Sequence, residues 1–283
     1  MGKKLYCIYD DDFSEESSKG AIRVYIPTAL GYINYNVAHA VHEERVADVW
    51  RTSFAYACDD NFENAYALNP SAEWDMALRI LGRDDFIGGE LHGDEVAFGM
   101  NVFIDEKETK LSSLTTLTEF KTLTITVDSV GYDPSDHITS ALLHNKEYIF
   151  TSEGLSLLQR VEWLCDYKLD SCYMAMMPPL KKYTDRYFTD VDKEIREITS
   201  PDFFVSGCKS ATLFGEGGIS YTMSVPKYHT LSDDVCLNIC DNGGRPYNKM
   251  YFPVCYKRGE VFRGDVWETL TKYRITNGED ITK

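Results

Sequence analysis

Residues 82–95 read Gly-Arg-Asp-Asp-Phe-Ile-Gly-Gly-Glu-Leu-His-Gly-Asp-Glu, placing five carboxylates, one arginine and one histidine within fourteen positions. His92 is the group best suited to chemistry. An imidazole titrates near neutral pH, and a carboxylate two or three residues on, Asp94 or Glu95, would raise its pKa and orient the ring as a general acid or base. Arg83 would meet the hydroxyls or carboxylate of a substrate, and Asp85 is read as a further substrate-binding residue. The four glycines allow a sharply bent loop or close approach to a ligand, and loops on a rigid scaffold commonly carry binding groups. A plain solvated turn is the competing reading of the same residues.

A second cluster lies near the C-terminus. In a strand, side chains alternate between faces, so Tyr247, Lys249 and Tyr251 share one face while Met250 and Phe252 take the other. A sugar ring can stack its C–H face on such tyrosines and take hydrogen bonds from Lys249. Tyr247 would serve as a second proton donor or, with Tyr251, as an aromatic wall.

Three resemblances attach to these residues. His92 and Glu95, in the order His-x-x-Glu after Ile87-Gly88-Gly89, resemble the zinc motif of the carboxypeptidase and aspartoacylase family, which implies zinc as an alternative cofactor with a third, distant histidine ligand; otherwise no cofactor is expected. The Tyr247-x-Lys249 strand resembles that of β-jelly-roll polysaccharide lyases such as alginate lyases, whose β-elimination uses a Tyr and a His while basic groups neutralise a uronate carboxylate. That family's Gln-x-His partner is missing, since Gln159 is the sole glutamine. More broadly, the succession from Trp74-Asp75-Met76 through Arg83 to Glu95, and then from Glu147-Tyr148-Ile149-Phe150 into Gly154-Leu155, looks like β-sandwiches of bacteriophage tail modules and of sugar-active mutarotase-like domains. It implies carbohydrate recognition and no particular reaction.

The elements that must hold these clusters are strands. Apolar residues recur with period two at Ile33, Tyr35, Val37 and Val41; at Leu123, Ile125 and Val127; at Leu155, Leu157, Val161, Trp163 and Cys165; at Trp74, Met76, Leu78 and Ile80, opposite Glu73, Asp75 and Arg79; and at Ile219, Tyr221, Met223 and Val225. Such alternation marks half-buried antiparallel strands. Turn chemistry separates them at Asn69-Pro70, Gly88-Gly89, Glu153-Gly154, Gly217-Gly218, Asn242-Gly243-Gly244 and Asn277-Gly278. The one expected helix covers residues 190–198, capped by Asp190, with Val191, Ile195 and Ile198 at helical spacing. The expected fold is mainly β: an antiparallel β-sandwich, in its larger form a supersandwich, with few short helices. Residues 1–283 are read as one domain, with a subdivision near 190–205 left open.

Composition narrows the partners. A formal charge of −16 opposes binding to phosphate backbones, so nucleic acid is not expected. No apolar run approaches the roughly 20 residues of a membrane helix, and Asp10-Asp11-Asp12 interrupts any N-terminal signal core, so synthesis in the cytoplasm without membrane insertion is expected, with virion association an alternative. Residues 10–16 read as an acidic solvated loop. The eight cysteines lack zinc or redox spacing and are read as free thiols. His39 falls in a core register and His42 opposite it, while His137, His144 and His229 are placed near strand ends, any of them able to join His92. These readings converge on a protein that engages a polysaccharide or cell-surface glycan, cleaving it by lyase or hydrolase chemistry. A non-catalytic receptor-binding or structural tail component, a zinc hydrolase and a homo-oligomer are the alternatives.

Overall fold

Alternating side chains in long strands build two facing sheets, because each strand offers one apolar face that must be covered. The computed structural model describes residues 3–13, 18–70, 74–199, 202–231, 235–241 and 244–278. Glu73, Glu16 and the Asn242-Gly243 step of the expected turn lie outside them. Among the described residues there are twenty-two strands, one four-residue α-helix and three single 3-10 turns. The strands form a sheet of sixteen and a sheet of six.

The main core gathers Val24, Val37, Ile125, Tyr148 and Tyr221 from the large sheet against Ala175, Met177, Met250 and Phe252 from the small one, all buried. A second cluster packs Leu142, Trp163 and Trp267 against Leu78, Met174 and Val254. The fold is therefore a β-sandwich of unequal sheets, as the period-two pattern implies. All eight cysteines are free thiols. No helix among the described residues is long and apolar enough to cross a membrane.

The site depends on one crossing between the sheets. After the large-sheet strand Ala47–Cys58, the chain enters the small sheet at Ala77–Ile80 and returns to the large sheet as Glu95–Ile104. Glu95–Ile104 then lies parallel to Ala47–Cys58, with Ala47 opposite Glu95, whereas the other sheet pairings described are antiparallel. The connection between Ile80 and Glu95 is the glycine-rich segment singled out above.

Several local expectations fail. Residues 190–198 form no helix: a turn leads into a two-residue strand, Arg196–Glu197, and Val191 and Ile195 are exposed. Asp190 accepts from the Lys209 amide instead of capping a helix. The strand begins at Ala77 and not at Trp74, since Asp75 turns inward to accept from Thr52 and Tyr148. Cys165 lies beyond the strand Gly154–Trp163. His39 is only partly covered, stacked on Trp50 at 4.9 Å and bonded to Asp48, and His144 lies within the strand Ser140–Thr151 and not at its end.

Candidate functional site

The connecting loop is fixed at several points by its own backbone. Leu78 and Ile87 exchange hydrogen bonds of 2.8 and 2.9 Å, and Gly88 N donates to Gly93 O at 3.0 Å. Between them Gly89–His92 makes one α-helical turn. At Gly93 φ is +86°, and a Cβ there would sit 2.0 Å from the Arg45 carbonyl oxygen, so the backbone approach requires glycine. Glu90 is buried in the turn and pairs with buried Arg51, with His42 at 3.6 Å. These contacts present His92 at the surface.

The ring of His92 bonds through Nδ1 to Asp85 Oδ1 at 2.9 Å and lies 4.8 Å from the Phe86 ring. The orienting carboxylate is thus Asp85, which also accepts from the Phe86 amide, and not Asp94 or Glu95. Asp85, expected to contact substrate, is exposed at the larger pocket and is also the hydrogen-bond partner of His92. Asp94 instead takes Nδ1 of His137 at 2.5 Å. Burial pushes the Asp94 carboxyl up, against the hydrogen bond from His137, while that bond and the Asp94 charge raise the His137 imidazole.

Glu95 is not part of this surface. Adjacent strand residues face opposite ways, and Glu95 points between the sheets at 0% exposure. Its Oε1 accepts from Ser129 at 2.6 Å and bonds His144 Nδ1 at 3.0 Å, with Lys146 Nζ at 3.5 Å, while Oε2 accepts from Gly89 N at 2.8 Å. Burial opposes its charge, but Lys146, then His144, outweigh burial and hold its carboxyl below the usual range. With both oxygens so occupied, His92 and Glu95 do not meet as a ligand pair. No group of three potential metal-binding side chains occurs among the described residues.

Arg83 is likewise committed, giving Nε and Nη2 to the two oxygens of Asp133 at 2.8 and 3.0 Å. This pair ties the glycine-rich segment to the loop that carries His137, and Arg83 still borders the larger pocket. On the small-sheet strand Asn248–Cys255, Met250 and Phe252 are fully buried and Lys249 Nζ lies 5.8 Å from the Tyr247 ring and 5.5 Å from the Tyr251 ring, so the two-faced pattern is present. Tyr247, however, is only 4% exposed, with its hydroxyl accepting from Arg245 at 2.6 Å. Tyr251 is the less covered of the two tyrosines.

His92 borders both of the larger pockets beside the loop. One, about 430 Å³, is bordered by His92, His137, Asp94, Arg83, Asp85 and Arg45. The other, about 290 Å³, is lined by Phe86, His92, Tyr173, Tyr251, Arg245 and Lys249, over a floor that includes Met176. Tyr173 and Tyr251 have ring centroids 4.7 Å apart. Burial raises the Tyr173 hydroxyl to about 12, so it stays protonated and can donate. His92 and Lys249, 157 positions apart in sequence, thus border one cavity. Neither type nor spacing singles out Tyr173, Arg245 or Phe86, whereas His137 is one of the three histidines read as able to join His92. Tyr173 and Tyr251 come together only through the pairing of Tyr167–Met177 with Asn248–Cys255.

No family model and no curated protein matches the chain. Among solved structures, it is similar to a galactose mutarotase-like protein from Clostridium acetobutylicum (10% identity, covering 98% of this chain and 100% of that one, TM-score 0.49). It is also similar to a putative aldose 1-epimerase from Escherichia coli K12 (9% identity, 89% and 99% covered, TM-score 0.42). A third is the 4-alpha-glucanotransferase from Thermococcus litoralis (10% identity, 96% and 40% covered, TM-score 0.46).

Proposed function

We propose that the chain binds a glycan across the two adjoining pockets and cleaves it with His92 as the acid–base group. The observation that carries this reading is the position of His92, which borders both pockets with its Nδ1 bonded to Asp85. With Nδ1 used in that way, Nε2 is the nitrogen that remains to exchange a proton with a ligand. The smaller pocket supplies the grip. Tyr251 and Tyr173 offer faces for a sugar ring, and Arg245 and Lys249 offer donors for its hydroxyls or carboxylate.

Charge sorting favours a negatively charged sugar. The protein carries −16, yet no carboxylate lines the smaller pocket among the described residues. A carboxylate-bearing sugar unit would therefore be drawn to the smaller pocket, while the net acidic lining of the larger pocket suits an uncharged unit of the same glycan.

The test compares binding and turnover on neutral and acidic oligosaccharides. His92→Ala should lower turnover by about 100-fold or more while affinity changes by no more than roughly threefold, because general acid–base groups act on the transition state. Lys249→Ala should weaken affinity about tenfold and lower turnover with it. Affinity without turnover in the parent protein would reduce the reading to a binding module. No affinity for any oligosaccharide at millimolar concentration would end it.

A further inference from the structure

The larger pocket holds a second histidine with the same local arrangement as the first. His137 bonds through Nδ1 to Asp94, as His92 does to Asp85, and both rings border the cavity of about 430 Å³. Two independent anchors place His137 there. Arg83 holds Asp133 at the start of its loop, and Asp136 accepts from the amides of Ile138 and Thr139 at 2.9 Å after it. The two carboxylates are close enough for the Asp85 charge to act on Asp94. We infer that His137 is the second proton-transfer group of the site, giving a proton to the departing glycosidic oxygen while His92 takes one from the attacked part of the substrate.

This step rests on the glycan-cleavage reading. In an elimination, His92 removes a proton from a ring carbon, that electron pair forms the C=C bond, the C–O bond breaks, and the His137 proton goes to the leaving oxygen. In a hydrolysis, His92 takes a proton from water as its oxygen bonds to the anomeric carbon, and the departing oxygen receives the same His137 proton. Either way one imidazole must start neutral and the other charged.

The surroundings divide the roles. Asp94 is buried, at 4% side-chain exposure, and contacts His137 at 2.5 Å; Asp85 is 54% exposed and contacts His92 at 2.9 Å. The closer, drier carboxylate stabilises an imidazolium better. Facing His137 are Glu44 and Arg45 from the turn Glu43–Arg45, Asp84 with Asp85 and His92 from the glycine-rich loop, and Asp133 and Asp136 on its own loop. Arg83, the other cation there, is neutralised by Asp133. The balance is acidic and favours the charged form of His137, which is also the direction in which Asp94 shifts it.

The variant of choice is His137→Asn, since φ at 137 is +57° and asparagine tolerates that region better than alanine. With a natural oligosaccharide, turnover should fall by about 100-fold. With a substrate whose scissile oxygen belongs to a dinitrophenolate, which leaves without a proton, the loss should shrink below about fivefold, because the acid is no longer needed. His92→Gln should stay impaired on both substrates. In the parent, turnover should decline on the alkaline side as His137 loses its proton, and Asp94→Asn should move that decline to lower pH by roughly one unit. A His137→Asn loss that is equal on both substrates, or an alkaline limb unmoved by Asp94→Asn, overturns the inference and leaves glycan cleavage standing. A parent that turns over neither substrate overturns both.

Discussion

Glu95→Gln separates a structural role from a chemical one more sharply than any other change in the protein. Glu95 is fully buried and receives Gly89 N, Ser129 Oγ, His144 Nδ1 and the charge of Lys146 at 3.5 Å. Glutamine keeps the shape but replaces one acceptor oxygen by a donor, so at least one of these partners faces an N–H group. Removing one side of a buried ion pair costs roughly 3–5 kcal/mol. Lys146 retains Asp75 at 3.3 Å, which puts the expected loss near the low end, about 3 kcal/mol. With an unfolding entropy of about 2.1 cal/mol/K per residue over 283 residues, that is a fall in Tm of about 5 °C, readable by calorimetry and by urea titration. Turnover of the folded fraction should stay within a few fold, because Glu95 does not border the pocket. An unchanged Tm with turnover abolished would refute the reasoning and return Glu95 to the chemistry.

Three further outcomes follow from contacts around the site. Gly93→Ala should cost roughly 3 kcal/mol or more, since φ is +86° and the new Cβ meets the Arg45 carbonyl, and wild-type stability in denaturant titration would contradict that. Asp133 is held at about 2, burial opposing its charge but being outweighed by the hydrogen bond from Arg83 and by Ser135. A carboxylate lowered in the folded state stabilises above its unfolded pKa of about 3.9 and loses that contribution as pH falls toward 2. Wild type should therefore lose more stability than Arg83→Ala between about pH 4 and 2, by acid titration of circular dichroism. Tyr251→Ala should weaken oligosaccharide affinity about tenfold, the worth of one well-stacked ring, and unchanged calorimetric affinity would remove it from the wall.

The strands were legible because burial repeats every second residue, and that survives in sequence wherever one face is apolar. Leu155, Leu157, Val161 and Trp163 are all buried as read. The same periodicity contains buried polar residues that the eye skips: Gln159 falls in register with them, and His144 and Lys146 fall in register with Leu142, Tyr148 and Phe150. Reading those registers through would have placed His144 and Lys146 between the sheets and pointed to a buried carboxylate partner such as Glu95. The false helix at 190–198 had three apolar residues at helical steps, but a loop can show that spacing when its side chains pack against little; of the three, only Ile198 packs against the core.

The site was legible as a region and not as a set of partners. Sequence proximity suggested that Asp94 or Glu95 serves His92, whereas backbone direction sends those two to His137 and to the interior. Asp85 reaches His92 because the Gly89–His92 turn folds the loop back on itself, and His137 arrives from 43 residues beyond Asp94. Such contacts are set by sheet pairing and loop closure, for which one sequence holds no local signal.

The most direct measurement is side-chain NMR of the histidine rings during titration with an acidic oligosaccharide. His92 and His137 should shift together and saturably, with the buried His144 and with His39, which borders neither pocket, unmoved, and Lys249→Ala should weaken both responses in parallel. Saturable binding of the oligosaccharide that leaves His92 and His137 unmoved would contradict the placement of the glycan in the joined pockets.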